Sequence, residues 1–209
     1  QALAMVILIY GLKYLLEDRK RTFLWFLFFA CMMHYSSVIV LPFVFLYKFR
    51  LSMRQVLLLV AGSLVAGVVG GMLLKLVLVQ TGFGIFLRYI GTENLGILNP
   101  VLFFQLFLCL AFFYFEPLLK DRQKGYYLIR NAYLYSTLLL LLTCNMGEIG
   151  GRLATIFATC EIFIIPALAL VVKPRACGYF ICWFLTALLF LLNFQKLMQE
   201  PEFWNYFTS

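Results

Sequence analysis

Thr22–Tyr47 reads TFLWFLFFACMMHYSSVIVLPFVFLY, 26 residues without an acidic or permanently basic side chain. The fold turns on how often this stretch crosses a membrane. A single crossing puts the cluster Arg19-Lys20-Arg21 and the cluster Lys48, Arg50, Arg54 on opposite sides, against the tendency of Lys and Arg to collect on the cytoplasmic side. A hairpin puts both clusters on one side. Thirteen of the seventeen Lys and Arg then lie together, leaving Lys75, Arg88, Arg152 and Lys196 across the membrane; a single crossing gives nine against eight. The hairpin is therefore preferred. Its break is expected at His34-Tyr35-Ser36-Ser37, the polar centre of the stretch. Each arm is then about 18 Å long at 1.5 Å per residue, so a re-entrant hairpin with His34 near its tip is expected. Irregular backbone at that depth is tolerated only inside protein or beside a wet cavity.

The rest of the chain supports a membrane reading. It is 64% hydrophobic and 12% charged, with mean hydropathy +0.96. That is more apolar side chain than one soluble core of this size can bury. The remaining apolar runs are Ala2–Leu16, Val56–Val79, Pro100–Leu119, Tyr126–Cys144, Leu153–Val172 and Cys177–Leu197, bounded by basic clusters. The expected fold is all-α: one polytopic transmembrane helical bundle of about six to eight membrane helices over residues 1–209. The start at Gln1, within an apolar run, suggests a fragment lacking N-terminal helices.

The net charge of +8 does not indicate nucleic acid, because the basic residues fall in short loops where they orient the chain and meet anionic lipid headgroups. The six cysteines form no CxxC pair and read as small core residues. Gly67 and Gly71 form a GxxxG, a site of close helix approach.

The hairpin orientation gathers Gln80–Asn99, Asn145–Arg152 and the C-terminal tail on the sparsely charged side. In Asn145-Met146-Gly147-Glu148-Ile149-Gly150-Gly151-Arg152, three glycines suggest a flexible turn, with Arg152 opening a helix whose free N–H groups favour an anion. Thr155 and Thr159 would share the Arg152 face. The plainer reading is a snorkelling Arg with back-bonded threonines. Arg88 and Tyr89 fall on an expected interfacial helix, Phe83–Ile90, where Arg88 binds either a ligand phosphate or a lipid headgroup. Glu93 follows in the loop. His34, the sole histidine, is either a packed hydrogen-bonded group or a reaction partner. Glu161, nine residues past Arg152, is expected on the opposite face as a buried hydrogen-bonding residue. There is no soluble-type catalytic motif and no cluster with metal-ligand spacing. Phosphate chemistry is therefore expected to fall to cationic side chains, without cofactor or metal.

Ala30-Cys31-Met32-Met33-His34-Tyr35-Ser36-Ser37 with Pro42 resembles the A-x-x-x-H-x-S-A element of the EpsG family, Ser37 replacing the usual Ala. Gly151-Arg152-Leu153-Ala154-Thr155-Ile156-Phe157 with Pro166 resembles the family's late R-x-x-x-Y-F … P element, imperfectly at Thr155-Ile156-Phe157. Arg88-Tyr89 falls where the family carries a basic–aromatic pair. The family's N-terminal G-x-D-x-x-x-Y element has no counterpart here. The resemblance implies a GT-C-like bundle and a Wzy-like polymerase of bacterial exopolysaccharide or O-antigen. Such an enzyme moves glycan from polyprenyl diphosphate to a sugar hydroxyl on the outer face of the inner membrane. The partners implied are the lipid-linked oligosaccharide, membrane lipids and other polysaccharide-assembly proteins. Arg152, Glu148 and His34 would be catalytic; Arg88, Tyr89, Glu93, Thr155 and Ser36 would bind substrate. Competing readings, in descending order, are a flippase of lipid-linked sugars and a membrane O-acyltransferase using His34. A non-catalytic scaffold is a further alternative.

Overall fold

A computed structural model describes residues 1–80 and 99–198, apart from the side chains at 74, 75, 77–79, 147–150 and 195–197. Among the described residues every regular element is helical. In order they are α1 (Ala2–Leu16), α2 (Lys20–Met33), a 3-10 segment (Tyr35–Val40) and α3 (Phe43–Leu46). Then come α4 (Met53–Gln80), α5 (Pro100–Tyr114), α6 (Glu116–Leu119) and α7 (Tyr126–Leu142). Last are α8 (Gly147–Ala158), α9 (Glu161–Ala169) and α10 (Arg175–Met198).

Thr22–Tyr47 is a hairpin, because its two ends meet. The Tyr47 hydroxyl donates to Asp18 Oδ1 at 2.7 Å, and Lys48 Nζ lies 2.8 Å from the same oxygen. Lys20 Nζ sits over the Tyr47 ring, 5.7 Å from its centroid. The chain leaves at Asp18–Lys20 and returns beside it 28 residues later, so both basic clusters lie at one end. Asp18 takes φ +59° there, a left-handed conformation that Asp tolerates better than most side chains.

The two arms differ in build. α2 runs 14 residues, about 21 Å, and stops where His34 turns extended at φ −156°, ψ 106°. Ser36 and Ser37 favour such a break, since their hydroxyls compete for backbone groups. The return arm is 3-10 over Tyr35–Val40. There Val38-Ile39-Val40 is a β-branched run with weak helix propensity, and Pro42 cannot donate back to Val38. At about 2.0 Å per residue, 3-10 winding returns the chain with fewer residues than an α-helix needs.

α4 and α10 contain the apolar stretches Met53–Leu73 and Arg175–Phe194, each long enough to cross a membrane. Gly151–Ala158 and Glu161–Ala169 form a third candidate span, bent by 50°. Ala2–Leu16, Tyr35–Leu46 and Pro100–Tyr114 are shorter apolar helices. Large apolar side chains such as Trp25, Phe28, Met32, Phe180 and Trp183 face outward, as suits a bundle solvated by lipid. The GxxxG does what its spacing suggests. A Cβ on Gly67 would lie 2.1 Å from the Leu141 carbonyl oxygen, and one on Gly71 would lie 2.7 Å from Asn145 Cβ. α4 thus meets the end of α7 at backbone distance, and the Asn145 amide closes the contact by donating to the Gly67 carbonyl at 3.3 Å.

The return arm is held by a cation inside the apolar run 126–144, to which the sequence assigns nothing beyond its share of the charge asymmetry. Arg130, near the start of α7, is 1% exposed. Its Nη1 lies 2.7 Å from Glu116 Oε2, its Nη2 donates to the Phe49 carbonyl at 3.3 Å, and its guanidinium stands over the Phe113 ring. The adjacent Asn131 amide donates to the carbonyls of Tyr47 and Phe49 at 2.9 and 2.8 Å. These carbonyls follow α3, where the backbone has no helical partner.

Candidate functional site

The tip of the hairpin carries an accumulation of unsatisfied polar atoms. His34 Nε2, Ser36 Oγ and Ser37 Oγ are all buried without a hydrogen-bond partner, and Ser37 is wholly inaccessible. Each such atom costs about 1–3 kcal/mol unless something pairs with it, and nearly all buried polar groups in proteins are paired. Three within four residues mark a place where a polar ligand would be held rather than tolerated. The position follows from local sequence: α2 ends at Met33, and the extended His34 swings the following residues across the top of the arm.

The surroundings hold the tip firmly. The Tyr135 hydroxyl on α7 donates to the Ile39 carbonyl at 2.7 Å. The Phe43 and Phe157 rings lie 4.7 Å apart, with Tyr135 against Phe157 at 6.2 Å. The 3-10 segment therefore packs on α8, the helix of Arg152 and Thr155. α8 is fixed in turn by a polar chain across three helices. Gln105 Nε2 on α5 donates to Ser136 Oγ on α7 at 2.8 Å, and Ser136 donates to the Ala154 carbonyl at 2.5 Å. The Gln1 side chain adds a bond to the Arg152 carbonyl at 3.2 Å.

Two expectations about α8 need correction. The helix begins at Gly147, so the three glycines are helical and Arg152 lies in the second turn. Arg152 therefore does not open the helix, and the free N–H groups of the first turn are not beside its Cα. Glycine in a helix costs only about 1 kcal/mol relative to Ala, and the helix packs along α7. The helix also ends at Ala158. Thr159 Oγ1 donates back to Ile156, and the backbone tightens to Cys160→Phe157 and Ile162→Thr159 bonds. The periodicity linking Arg152 to Thr159 and Glu161 does not run through that bend.

Of the candidate residues, His34 and Ser36 are brought together at the tip. Arg152 and Thr155 are exposed on the neighbouring α8. Thr155 spends its proton on the Gly151 carbonyl, which leaves its oxygen as an acceptor only. The Glu148 side chain lies outside the described residues, as do Arg88, Tyr89, Glu93 and the expected helix Phe83–Ile90. Among the described residues, no group of three or more His, Cys, Asp or Glu could hold a metal ion. All six cysteines are free thiols.

The buried polar groups beneath the site were only partly foreseen. Glu161 is buried, as expected, and accepts a 2.7 Å hydrogen bond from the Tyr133 hydroxyl. Gln105 and Ser136 were missed. Their signal was available: an amide inside the apolar run 100–119 and a hydroxyl inside 126–144 are intramembrane polar residues that must find partners.

The sequence matches the model of the EpsG family over residues 1–208. The chain belongs to the EpsG family. No curated protein and no solved structure matches it. Membership and helix composition together make this EpsG chain a multi-pass membrane protein of the polysaccharide-polymerase type. The His34–Ser37 break and the Arg152 helix are two of the segments whose residues resemble EpsG elements, and Arg88-Tyr89, the third, lies outside the described residues. In the folded chain the first two lie against each other.

Proposed function

We propose that this protein polymerises lipid-linked oligosaccharide repeat units, as a glycosyltransferase at the outer face of the bacterial inner membrane. The observation that carries this reading is the hairpin tip, where three buried polar atoms lack partners beside the helix of Arg152. A sugar hydroxyl can donate to one such atom and accept from another, so an acceptor sugar suits the tip. In the reaction, the acceptor hydroxyl oxygen bonds to the anomeric carbon of the donor glycan. The bond from that carbon to the polyprenyl diphosphate breaks, and the diphosphate leaves with the electron pair. His34, or Glu148, takes the hydroxyl proton. Arg152, with Arg88, stabilises charge on the diphosphate, where a planar guanidinium can pair two oxygens. Tyr89, Glu93, Thr155 and Ser36 contact the substrate. The orientation rests on the charge asymmetry: the hairpin root and its basic clusters face the cytoplasm, and the tip faces out.

The test compares lipid-linked glycans, separated by size, in a deletion strain complemented with wild type, Arg152→Ala, Arg152→Lys or His34→Gln at equal expression. Single repeat units on the outer leaflet with loss of long polymer are expected for Arg152→Ala and His34→Gln. Normal polymer length in both Arg152 variants would remove that residue from the site. Units trapped on the inner leaflet would replace the polymerase reading with a flippase.

A further inference from the structure

At the root end, the turn after α1 and the loops α3–α4 and α6–α7 enclose a cleft of about 650 Å³. Five cations line it, Lys48, Arg50, Lys120, Arg122 and Lys124, against two carboxylates, Asp18 and Asp121. Asp18 is already taken by Lys48 and Tyr47. Arg50 stands over the Tyr127 ring, 5.2 Å from its centroid. Among the described residues the ion pairs within 4 Å are Arg19–Glu17, Lys48–Asp18 and Arg130–Glu116. Lys120, Arg122 and Lys124 thus face the cleft without a carboxylate partner. Gln123 lines the same cleft, and its Oε1 is buried with no hydrogen-bond partner. The cleft therefore presents surplus positive charge next to an acceptor that lacks a donor.

A ligand that answers both features carries a phosphate for the cations and a hydroxyl for Gln123. We infer that the root cleft binds the phosphoglycerol headgroup of an anionic phospholipid. The source is a lipid rather than a free phosphate because the cleft lies where apolar helices end. Leu16, which lines the cleft, is exposed and gives the first acyl carbons an apolar contact. Half-buried Tyr127 supplies the amphipathic ring typical of a membrane boundary. This site is independent of the reaction at the hairpin tip and needs no assumption about which chemistry occurs there.

Thermal unfolding of the purified full chain in neutral detergent, titrated with phosphatidylglycerol or phosphatidylcholine, tests the site. A saturable rise in Tm with phosphatidylglycerol alone is expected. The double variant Lys120→Ala, Lys124→Ala removes two exposed side chains and is expected to raise the half-saturating lipid concentration about thirtyfold. Arg19→Ala, Arg21→Ala removes the same charge outside the cleft and is expected to leave the response intact. Gln123→Ala is expected to weaken phosphatidylglycerol but not phosphatidic acid, which lacks the glycerol hydroxyls. Equal shifts with both lipids, or equal losses in the two double variants, would reduce the effect to bulk charge and overturn the site. The same shift from glycerol phosphate would overturn the lipid as its source.

Discussion

The two ends of one hairpin treat their polar groups in opposite ways. At the root, Asp18, Tyr47, Lys48, Glu116, Arg130 and Asn131 all have partners, most of them within 3 Å, and Gln123 in the adjoining cleft is the exception. At the tip, His34, Ser36 and Ser37 each hold an atom with none. In a low-dielectric interior a satisfied network rigidifies the fold, and an unsatisfied one costs free energy. The root thus anchors the hairpin, and the tip holds hydrogen-bonding capacity that the described residues do not use. A rigid root is also what permits the unsatisfied tip, because strain at a functional segment persists only when its surroundings fix it.

The contrast breaks most readily at the root. Arg130→Ala leaves the Glu116 carboxylate without its cation and removes one of the two donors to the Phe49 carbonyl, and is expected to cost about 3–5 kcal/mol. Chemical or thermal unfolding in detergent reads the loss, and a variant as stable as wild type would show that the root is not an anchor. The tip should respond in the opposite sense. His34→Gln is expected to reduce polymer formation by about 10²–10⁴-fold if His34 carries the proton. Ser37→Ala should leave stability within about 1 kcal/mol of wild type, because it deletes a hydroxyl that bonds to nothing in the protein. A large destabilisation by Ser37→Ala would mean that the tip, like the root, is structural. Between the two ends, Tyr135→Phe removes only the bond to the Ile39 carbonyl and should cost about 0.5–1.5 kcal/mol. A greater fall in polymer output than in stability would show that the bond positions the tip.

The smallest effect concerns pH. The Lys48 ammonium, with the Tyr47 hydroxyl, holds the Asp18 carboxyl below its usual value, and Asp18 in turn holds the Lys48 ammonium above its own. Asp18 therefore contributes stability above the ordinary carboxylate range, lost as pH falls through its lowered pKa. Lys48 contributes stability below the ordinary Lys value, lost as pH rises through its raised pKa. Both side chains are more than half exposed, so the effect should shrink with salt. The Tm difference between wild type and Asp18→Asn is expected to be largest near neutral pH and to close at both extremes. A difference unchanged in acid would detach the pair from the stability of the root.

Much of the candidate site was readable from local pattern. His34-Tyr35-Ser36-Ser37 interrupts an apolar run, and a polar interruption followed by β-branched residues and proline breaks a helix wherever it occurs. The start of α8 was not readable in the same way. Gly147, Gly150 and Gly151 suggest a turn, but they lie within α8, which packs along α7. The bend at Thr159 escaped the periodicity because a side chain bonding back to the helix leaves no mark on hydropathy.

The sequence by itself determined that the chain is a helical membrane protein, that the stretch Thr22–Tyr47 doubles back, and that its flanking basic clusters share an end. Those properties depend on hydropathy and charge, which each residue contributes locally. Tertiary structure alone decided that Arg130 is a buried anchor, that Gln105 and Ser136 tie α8 in place, and that the hairpin tip meets the Arg152 helix. Those outcomes depend on partners far apart in the chain, 81 residues for Arg130 and Phe49, 31 for Gln105 and Ser136, and 96 for Tyr135 and Ile39. A polar residue in an apolar run announces that it needs a partner, but only the folded chain selects which one.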